Sequence, residues 1–223
     1  MIAIDNTDVN GLRAALRGMR NPFDSWFMSD SRMEDGTFRA GPKDLALASR
    51  LAEAGDDHGK LTRFIVVTTD IKAPLYWWKE MDTYKVGTVA NSCSTMHTLL
   101  KRDFRIDDFS TDGSQYSVNA IKPIVDTLND LRDRWKYYED QMVPDVAHSN
   151  EVWRTIVQML PCSYMQKRTW QANYMVLHHI FNARKHHRLT EWHDFCDWIL
   201  TLPQYTRIYT KDTIEENNEN DKA

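Results

Sequence analysis

The feature that most constrains this chain is the helical recurrence of apolar residues in six separate segments. After Gly41-Pro42-Lys43, apolar side chains return at helical spacing until Gly55, which is typical of a helix with Pro in its first turn. The predicted helices are one from Gly41 to Gly55, one after Ala73-Pro74 (LYWWKEMDTY), one starting near Pro123, and three over 151–160, 170–184 and 190–200.

Few segments have the composition of strands. Residues 62–71 (TRFIVVTTDI) are rich in β-branched side chains, and residues 1–4 are the next clearest case. Residues 86–95 (VGTVANSCST) are small and polar, which predicts a loop that lets a ligand approach the backbone. Because strands and helices do not alternate as βαβ units, the chain is predicted to be α+β. We expect one helix-rich domain over 1–210 and a polar, disordered tail over 211–223.

Composition excludes several classes of protein. The chain has 223 residues and a formal net charge of −4, which disfavours a dedicated nucleic-acid binder. No run reaches about 18 apolar residues, so no membrane span is expected, and the N-terminus lacks the pattern of a secretory signal. The 3 cysteines show no CxxC spacing, which favours a reducing cytoplasm.

A second cluster of interest is the histidine-rich stretch near the end of the chain. His178, His179, His186, His187 and His193 show neither i, i+4 pairing nor a carboxylate in register, so no metal site is predicted. The run 184–188 (RKHHR) suits either a phosphate-bearing ligand or a solvated basic turn, and the sequence alone leaves both open.

No catalytic constellation emerges from the residues. The 86–95 segment lacks the GxSxG and Walker A patterns, and Cys93 is more typical of an inert thiol than of a nucleophile. His58 falls where a helix gives way to a strand, which suits either a ligand contact or a helix-end histidine. The catalytic residues are therefore unassigned.

The chain is rich in aromatic residues, with 8 Trp, 9 Tyr and 8 Phe. Rings within periodic helices are assigned to packing: Trp135, Trp192, Phe195 and Trp198. The run Tyr76-Trp77-Trp78 and Tyr84 instead lead into the 86–95 segment, so they are the rings expected to stack on a flat ligand.

Two segments together resemble the flavin-dependent thymidylate synthase family. In the first, about 44–95, a helix ending in Gly and His is followed by a strand ending in Ile71-Lys72-Ala73-Pro74 and an aromatic helix. In the second, about 151–192, Leu160-Pro161 is followed by Asn173 and then Arg184, with spacings similar to those of the family. The two segments cover somewhat under half of the chain.

The signature loop of that family is altered here. Its Arg-His-Arg falls on Thr83-Tyr84-Lys85, its first Ser on Thr88, its Asn-Glu on Ala90-Asn91, and its last Ser and Arg on Cys93 and Thr95. Lys85 and Thr88 keep the chemistry of the residues they replace. The lost guanidinium groups would otherwise donate bidentate bonds to phosphate.

The resemblance implies an α+β subunit with a small, mostly antiparallel sheet that assembles as a homotetramer. It also implies FAD as cofactor, methylenetetrahydrofolate as cosubstrate, NADPH as reductant and a pyrimidine deoxynucleotide as substrate, so that the cofactor carries the difficult chemistry. The substrate-binding residues implied are Arg184, Thr88, Lys85, Glu80 and Cys93; the cofactor-binding residues implied are His58, Lys60, Tyr84, Asn91, Asn173 and His179.

Three functional hypotheses follow. The first is transfer of a one-carbon unit to C5 of dUMP. The second keeps the scaffold but changes the base or the group added to C5. The third is a non-catalytic nucleotide-binding or assembly protein that retains the fold without flavin chemistry.

Overall fold

A computed structural model of the chain describes residues 2–209. The predicted tail, 211–223, lies outside the described residues. The strands are β1 (Ala3–Asn10), β2 (Arg32–Glu34), β3 (Thr37–Arg39), β4 (Val66–Pro74), β5 (Thr88–Ser92) and β6 (Met165–Asn173). The helices are α1 (Leu12–Gly18), α2 (Pro42–Glu53), α3 (Leu75–Met81), α4 (Thr95–Thr98), α5 (Gln115–Glu139), α6 (Val146–Met159), α7 (Tyr174–Arg184), α8 (Thr190–Leu200) and α9 (Tyr205–Tyr209). Short 3-10 helices cover Asn21–Phe23, Trp26–Met28, Gly59–Phe64 and Ile106–Asp108.

The fold is α+β, with many helices and a small antiparallel sheet, as the sequence predicts. The sheet has the strand order β1-β4-β6-β5, so β4 and β6 are its central strands. A separate hairpin pairs β2 with β3 antiparallel. None of the helices within residues 2–209 is long and apolar enough to cross a membrane.

Several helices are fixed by caps that the sequence encodes locally. The side chains of Ser114, Asp145 and Asn173 accept hydrogen bonds from the first-turn amides of α5, α6 and α7. Such caps satisfy amides that have no partner within the helix. The predicted helix over 190–200 is confirmed at both ends, and the one after Gly41 ends at Glu53, close to its predicted stop.

The prediction of a helix over 170–184 is wrong at its beginning. Residues Met165–Asn173 form β6, and the helix begins at Tyr174. Trp170 and Ala172 are buried while Thr169 and Gln171 are more accessible, an alternation that suits a strand. Pairing of β6 between two other strands therefore decides the structure of a segment whose apolar residues also fit a helix.

Several other helices and strands begin or end at residues that differ from the prediction. The helix expected to start near Pro123 begins at Gln115, with Pro123 inside it. The strand expected over 62–71 is shifted to Val66–Pro74, because Gly59–Phe64 is a 3-10 helix. The strand expected over 1–4 extends as Ala3–Asn10, and the 86–95 segment, expected to be a loop, contains the edge strand β5.

The described chain divides into two compact units, and β1, β4, β5 and β6 each contribute residues to both. Unit 1 comprises residues 2–3, Ile71–Thr83 and Asn91–Arg168. Its core includes a cluster of buried apolar side chains on and around α5 and α6: Leu99, Phe104, Phe109, Ile121, Val125, Leu128 and Ile156.

Unit 2 comprises Ile4–Asp70, Tyr84–Ala90 and residues 169–209. Its largest fully buried side chains are aromatic and come from α7, α8 and α9. Edge-to-face pairs join Trp170 to Phe195, Trp192 to Phe195, and Tyr174 to Tyr205. This aromatic core fixes α7, the helix that carries several of the residues of interest.

Candidate binding site

One group of residues surrounds Arg184, the last residue of α7. Its Nε donates a hydrogen bond of 2.8 Å to the hydroxyl of Tyr84. Its guanidinium carbon lies 4.7 Å from the ring centre of Trp192 and 5.5 Å from that of Tyr84. We call these three residues the arginine cluster. Ring contacts and a directional hydrogen bond together restrict the orientation of the guanidinium group.

The segment Tyr84–Ala90 places Tyr84 beside α7. The hydroxyl of Thr88 donates a bond of 2.5 Å to the carbonyl of Tyr84, which closes the turn. Gly87 has a φ of 76°, and a Cβ there would lie 3.0 Å from a methyl of Val176. Glycine is therefore favoured by the left-handed backbone, and a side chain here would also press on the methyl of Val176.

Asn173 and His179 lie on the same helix as Arg184. The side-chain oxygen of Asn173 accepts a bond of 3.0 Å from the amide of Val176 and so caps α7. Its side-chain nitrogen lies close to Gly87. His179 is exposed, and its Nε2 lies 3.2 Å from a carboxylate oxygen of Asp56. Asn173 is thus a helix cap as well as a predicted cofactor contact.

His178, next to His179, packs against aromatic residues of α9. Its ring stacks on Tyr209 with 3.9 Å between centres, and its Nδ1 lies 3.3 Å from the hydroxyl of Tyr205. Burial and the neighbouring His179 lower the pKa of His178 below its usual value. The neutral imidazole is therefore favoured, and its neighbours hold α7 against α9.

His58 and Lys60 line a different part of unit 2, a cavity of about 680 Å³. Its apolar walls are formed by Met19, Phe23, Met28, Leu47, Leu51 and Phe64, among others. Lys43, Arg50, Lys60 and the imidazole of His58 also line it, and we call these four basic residues the cationic rim. Within residues 2–209 none of the four side chains has a hydrogen-bond or ion-pair partner. The volume lies within the range of small-molecule sites, about 300–1,000 Å³.

The cavity lies within unit 2, as does the arginine cluster. Asp57 is the acidic residue on its lining, which also includes Arg20 and the cationic rim. Its excess of positive charge and its apolar walls suit a ligand that combines rings with anionic groups.

Three of the predicted binding residues belong to unit 1 instead. Asn91 and Cys93 are exposed, and the thiol of Cys93 lies 3.6 Å from the hydroxyl of Thr98. Cys93 also lines a pocket of about 220 Å³ beside Arg102 and Asp108. Glu80, half-buried on α3, accepts through its carbonyl a bond of 2.7 Å from Thr83. The remaining predicted residue, Lys85, is exposed in unit 2.

The prediction that Trp77 and Trp78 stack on a ligand is wrong. Their exposed fractions are 0% and 1%, and the two rings pack edge to face in the core. The indole N–H of Trp78 donates to the carbonyl of Gln166, and Arg168 lies over its ring. Helix α3 directs these two rings inward, whereas Tyr84 contacts Arg184.

Sequence reasoning missed Lys43, Arg50 and the role of Trp192. Lys43, Leu47 and Arg50 are spaced by four and three residues, so they share one face of α2. That spacing was available in the sequence as a second, cationic face beside the apolar face. Trp192 is fully buried, as expected for packing, but it also contacts Arg184.

The basic run 184–188 does not act as a single patch. Arg184 is half-buried in the arginine cluster, whereas Lys185, His186 and Arg188 are exposed. Among the described residues no group of three His, Cys, Asp or Glu side chains is arranged to hold a metal ion.

Comparison with known proteins gives similarity of structure without similarity of sequence. No protein family and no curated protein matches the sequence. A crystal structure of thymidylate synthase X (ThyX) from Helicobacter pylori with FAD and dUMP matches with a TM-score of 0.69 and 16% identity, covering 94% of this chain and 98% of that one. A second structure, flavin-dependent thymidylate synthase ThyX from the same organism complexed with FAD and dUMP, matches with a TM-score of 0.64 and 15% identity, covering 93% and 97%.

The resemblance stated from the sequence is confirmed at the level of the fold. The similarity extends over nearly the full length of both chains, well beyond the two segments that first carried it. The chain has the fold of the flavin-dependent thymidylate synthases.

Proposed function

We propose that this protein transfers a one-carbon unit from methylenetetrahydrofolate to C5 of a pyrimidine deoxynucleotide, converting dUMP to dTMP or carrying out a close variant of that reaction. The observation that carries the proposal is the fold, which is shared over nearly the whole chain with enzymes crystallised with FAD and dUMP. Because fold alone does not fix function, the residues of the site must support it too.

The arginine cluster supports binding of the nucleotide. Arg184 is half-buried, and its orientation is restricted by Tyr84 and Trp192. A guanidinium group held in this way binds an anion with less loss of conformational freedom than an exposed side chain. Thr88 and Lys85, on the segment that carries Tyr84, are proposed to complete the contacts, and Glu80 and Cys93 are further proposed substrate contacts.

The cavity bordered by the cationic rim suits FAD by its basic side chains and its apolar walls. Its cationic rim lacks protein partners within residues 2–209, and its walls are apolar, as a dinucleotide with rings and phosphates requires. We propose that His58 and Lys60 bind the cofactor there, with Tyr84, Asn91, Asn173 and His179 as further contacts. Reduced flavin bound there would supply the hydride for the reaction, and NADPH is the proposed reductant.

The protein's own part in this proposal is binding and orientation. Arg184 holds the nucleotide, Tyr84 fixes the direction of Arg184, and the apolar walls of the cavity exclude water from the ring system. We further propose a homotetramer located in the cytoplasm.

The alternative is a non-catalytic nucleotide-binding or assembly protein. The altered signature favours it, because Thr83 and Thr95 stand in place of two arginines and two guanidinium groups are lost. The same alteration favours the second hypothesis, in which the base or the group added to C5 is different.

The deciding experiment is an absorption spectrum of the purified protein during titration with FAD, followed by assays with reductant and folate. We expect the visible bands of bound flavin and a mass gain in the product from dUMP or dCMP. Which of the two nucleotides gains mass distinguishes the first hypothesis from the second. Nucleotide binding without turnover under any reductant supports the alternative, and failure to take up FAD contradicts the proposed flavin chemistry.

A further inference from the structure

One wall of the cationic cavity is formed by a segment with unusually exposed apolar side chains. Residues 20–31, which we call the strap, connect α1 to the hairpin β2-β3. Phe23 and Phe27 on the strap are 88% and 87% exposed, and Met28 is 57% exposed. Such a group of large apolar side chains in water marks a surface that is covered in the functional state.

The strap is anchored at both of its ends on one buried carboxylate. Asp44, at the start of α2, is fully buried and accepts hydrogen bonds from Arg20 Nε at 2.7 Å and from the hydroxyls of Ser29 and Ser31 at 2.6 and 2.5 Å. Burial would raise the pKa of Asp44, but these hydrogen bonds and the charge of Arg20 bring it below its usual value. The carboxylate therefore stays ionised and holds both ends of the strap at neutral pH.

Between its anchors the strap is held by short-range bonds. The indole of Trp26 donates to Asn21, and the amide of Ser25 donates to the carbonyl of Arg20. The 680 Å³ cavity borders the strap at Phe23 and Met28, and a second cavity of about 210 Å³ borders it at Trp26 and Ser29. With a cavity on each of these sides, the middle of the strap is fixed by its ends more than by packing.

We propose that the strap is part of the ligand site: Phe23 and Met28 pack on a ring system in the cavity while the cationic rim binds its phosphate groups, and Asp44 is the positioning residue that holds the strap in place. The inference rests on the proposed function in that FAD is a ligand of this chemistry. The cavity combines exposed apolar side chains with basic side chains that have no hydrogen-bond or ion-pair partner within residues 2–209, and this combination suits a ring system that carries phosphate groups.

The test compares two phenylalanines of the same strap. Phe23 lines the cavity and Phe27 does not, although their exposure is nearly equal. We expect Phe23→Ala to release FAD about tenfold faster in stopped-flow measurements, because one aromatic contact and its buried area are lost. We expect Phe27→Ala to change the release rate less than about twofold.

Equal effects of the two substitutions on release, or no effect of Phe23→Ala, would overturn the proposal. So would a change in oligomeric state in both variants with unchanged release, measured by analytical ultracentrifugation, because the strap would then cover a second copy of the chain.

The role of Asp44 is tested by comparing the binding of two ligands, because a general loosening of the fold would weaken both. We expect Asp44→Asn to accelerate release of FAD while the dissociation constant for dUMP at the arginine cluster changes less than about twofold. If both ligands weaken to the same extent, Asp44 supports the fold and not the ligand, and the positioning role fails.

A second probe distinguishes failure of the proposed function from failure of the strap proposal. If the wild-type protein takes up no FAD, the comparison of Phe23→Ala with Phe27→Ala is repeated with 8-anilinonaphthalene-1-sulfonate, an aromatic anion of the same chemical class. A selective loss of binding in Phe23→Ala then supports the strap while the flavin proposal fails, and loss in neither variant overturns the strap as well.

Discussion

The arginine cluster and the cationic rim are two positively charged regions of the same unit, but their side chains are held differently. Arg184 has a hydrogen bond to Tyr84 and a ring contact with Trp192, so its direction is set before any ligand arrives. The basic side chains of the rim have no such contacts within residues 2–209. A preorganised cation selects a ligand by geometry, whereas a mobile cation attracts it mainly by charge.

The largest expected effect concerns the support of the cavity wall. Asp44→Asn leaves the buried guanidinium of Arg20 without its carboxylate and should lower the free energy of unfolding by about 3–5 kcal/mol. Urea denaturation measures this loss. The folded-state pKa of Asp44 lies below its usual value, so the unfolded chain binds the proton more tightly and the stabilisation disappears as the pH falls below about 4. The variant should lose this part of the acid dependence.

The matched control is Glu34→Gln, which breaks the exposed ion pair with Arg32. It should change the free energy of unfolding by less than about 1 kcal/mol. Similar losses in the two variants would show that the strap is not specially dependent on its buried anchor.

The next effect tests the geometric side of the comparison. Arg184→Ala should weaken dUMP binding about 10–100-fold in isothermal titration, since a charge-assisted hydrogen bond is removed. Arg188→Ala removes an exposed arginine of the same basic run and should change affinity less than about threefold. Equal losses would mean that the run acts by charge alone and that the arrangement around Arg184 has no role in binding.

A smaller effect is expected from Tyr84→Phe. The substitution keeps the ring but removes the acceptor of the 2.8 Å bond from Arg184. Nucleotide binding should weaken about 2–10-fold, because one neutral partner is lost and the guanidinium gains freedom. If Arg184→Ala and Tyr84→Phe were combined, the second change should add nothing; full additivity would contradict the positioning role of Tyr84.

The smallest effects are expected at the cationic rim. Lys43→Gln, Arg50→Gln and Lys60→Gln should each weaken FAD binding about 2–5-fold at low salt, and the differences should vanish near 1 M salt, where the Debye length is about 3 Å. Lys122→Gln, an exposed lysine of unit 1, is the control and should have no effect. A salt-insensitive loss at any rim position would place that side chain with the preorganised group.

The sequence predicted only part of the candidate site, and particular residues show why. Asn173 and Arg184 were named because their spacing resembles that of the flavin-dependent thymidylate synthases. The structure places them at the two ends of one helix, which separates them by roughly 16 Å whatever the rest of the fold does. Trp77 and Trp78 were misassigned because neighbouring aromatic residues look alike in a sequence, whether a helix turns them inward or outward.

The sequence by itself determined the elements whose signals are local. Helix α8 follows from its apolar spacing and α2 from Pro42 and its periodicity, because such patterns act within a few residues. The tertiary structure alone decided that β6 is a strand, that Tyr84 meets Arg184 from 100 positions away, and that Asp44 anchors Arg20. Those contacts depend on which distant segments pack together, and nothing within either segment encodes its partner.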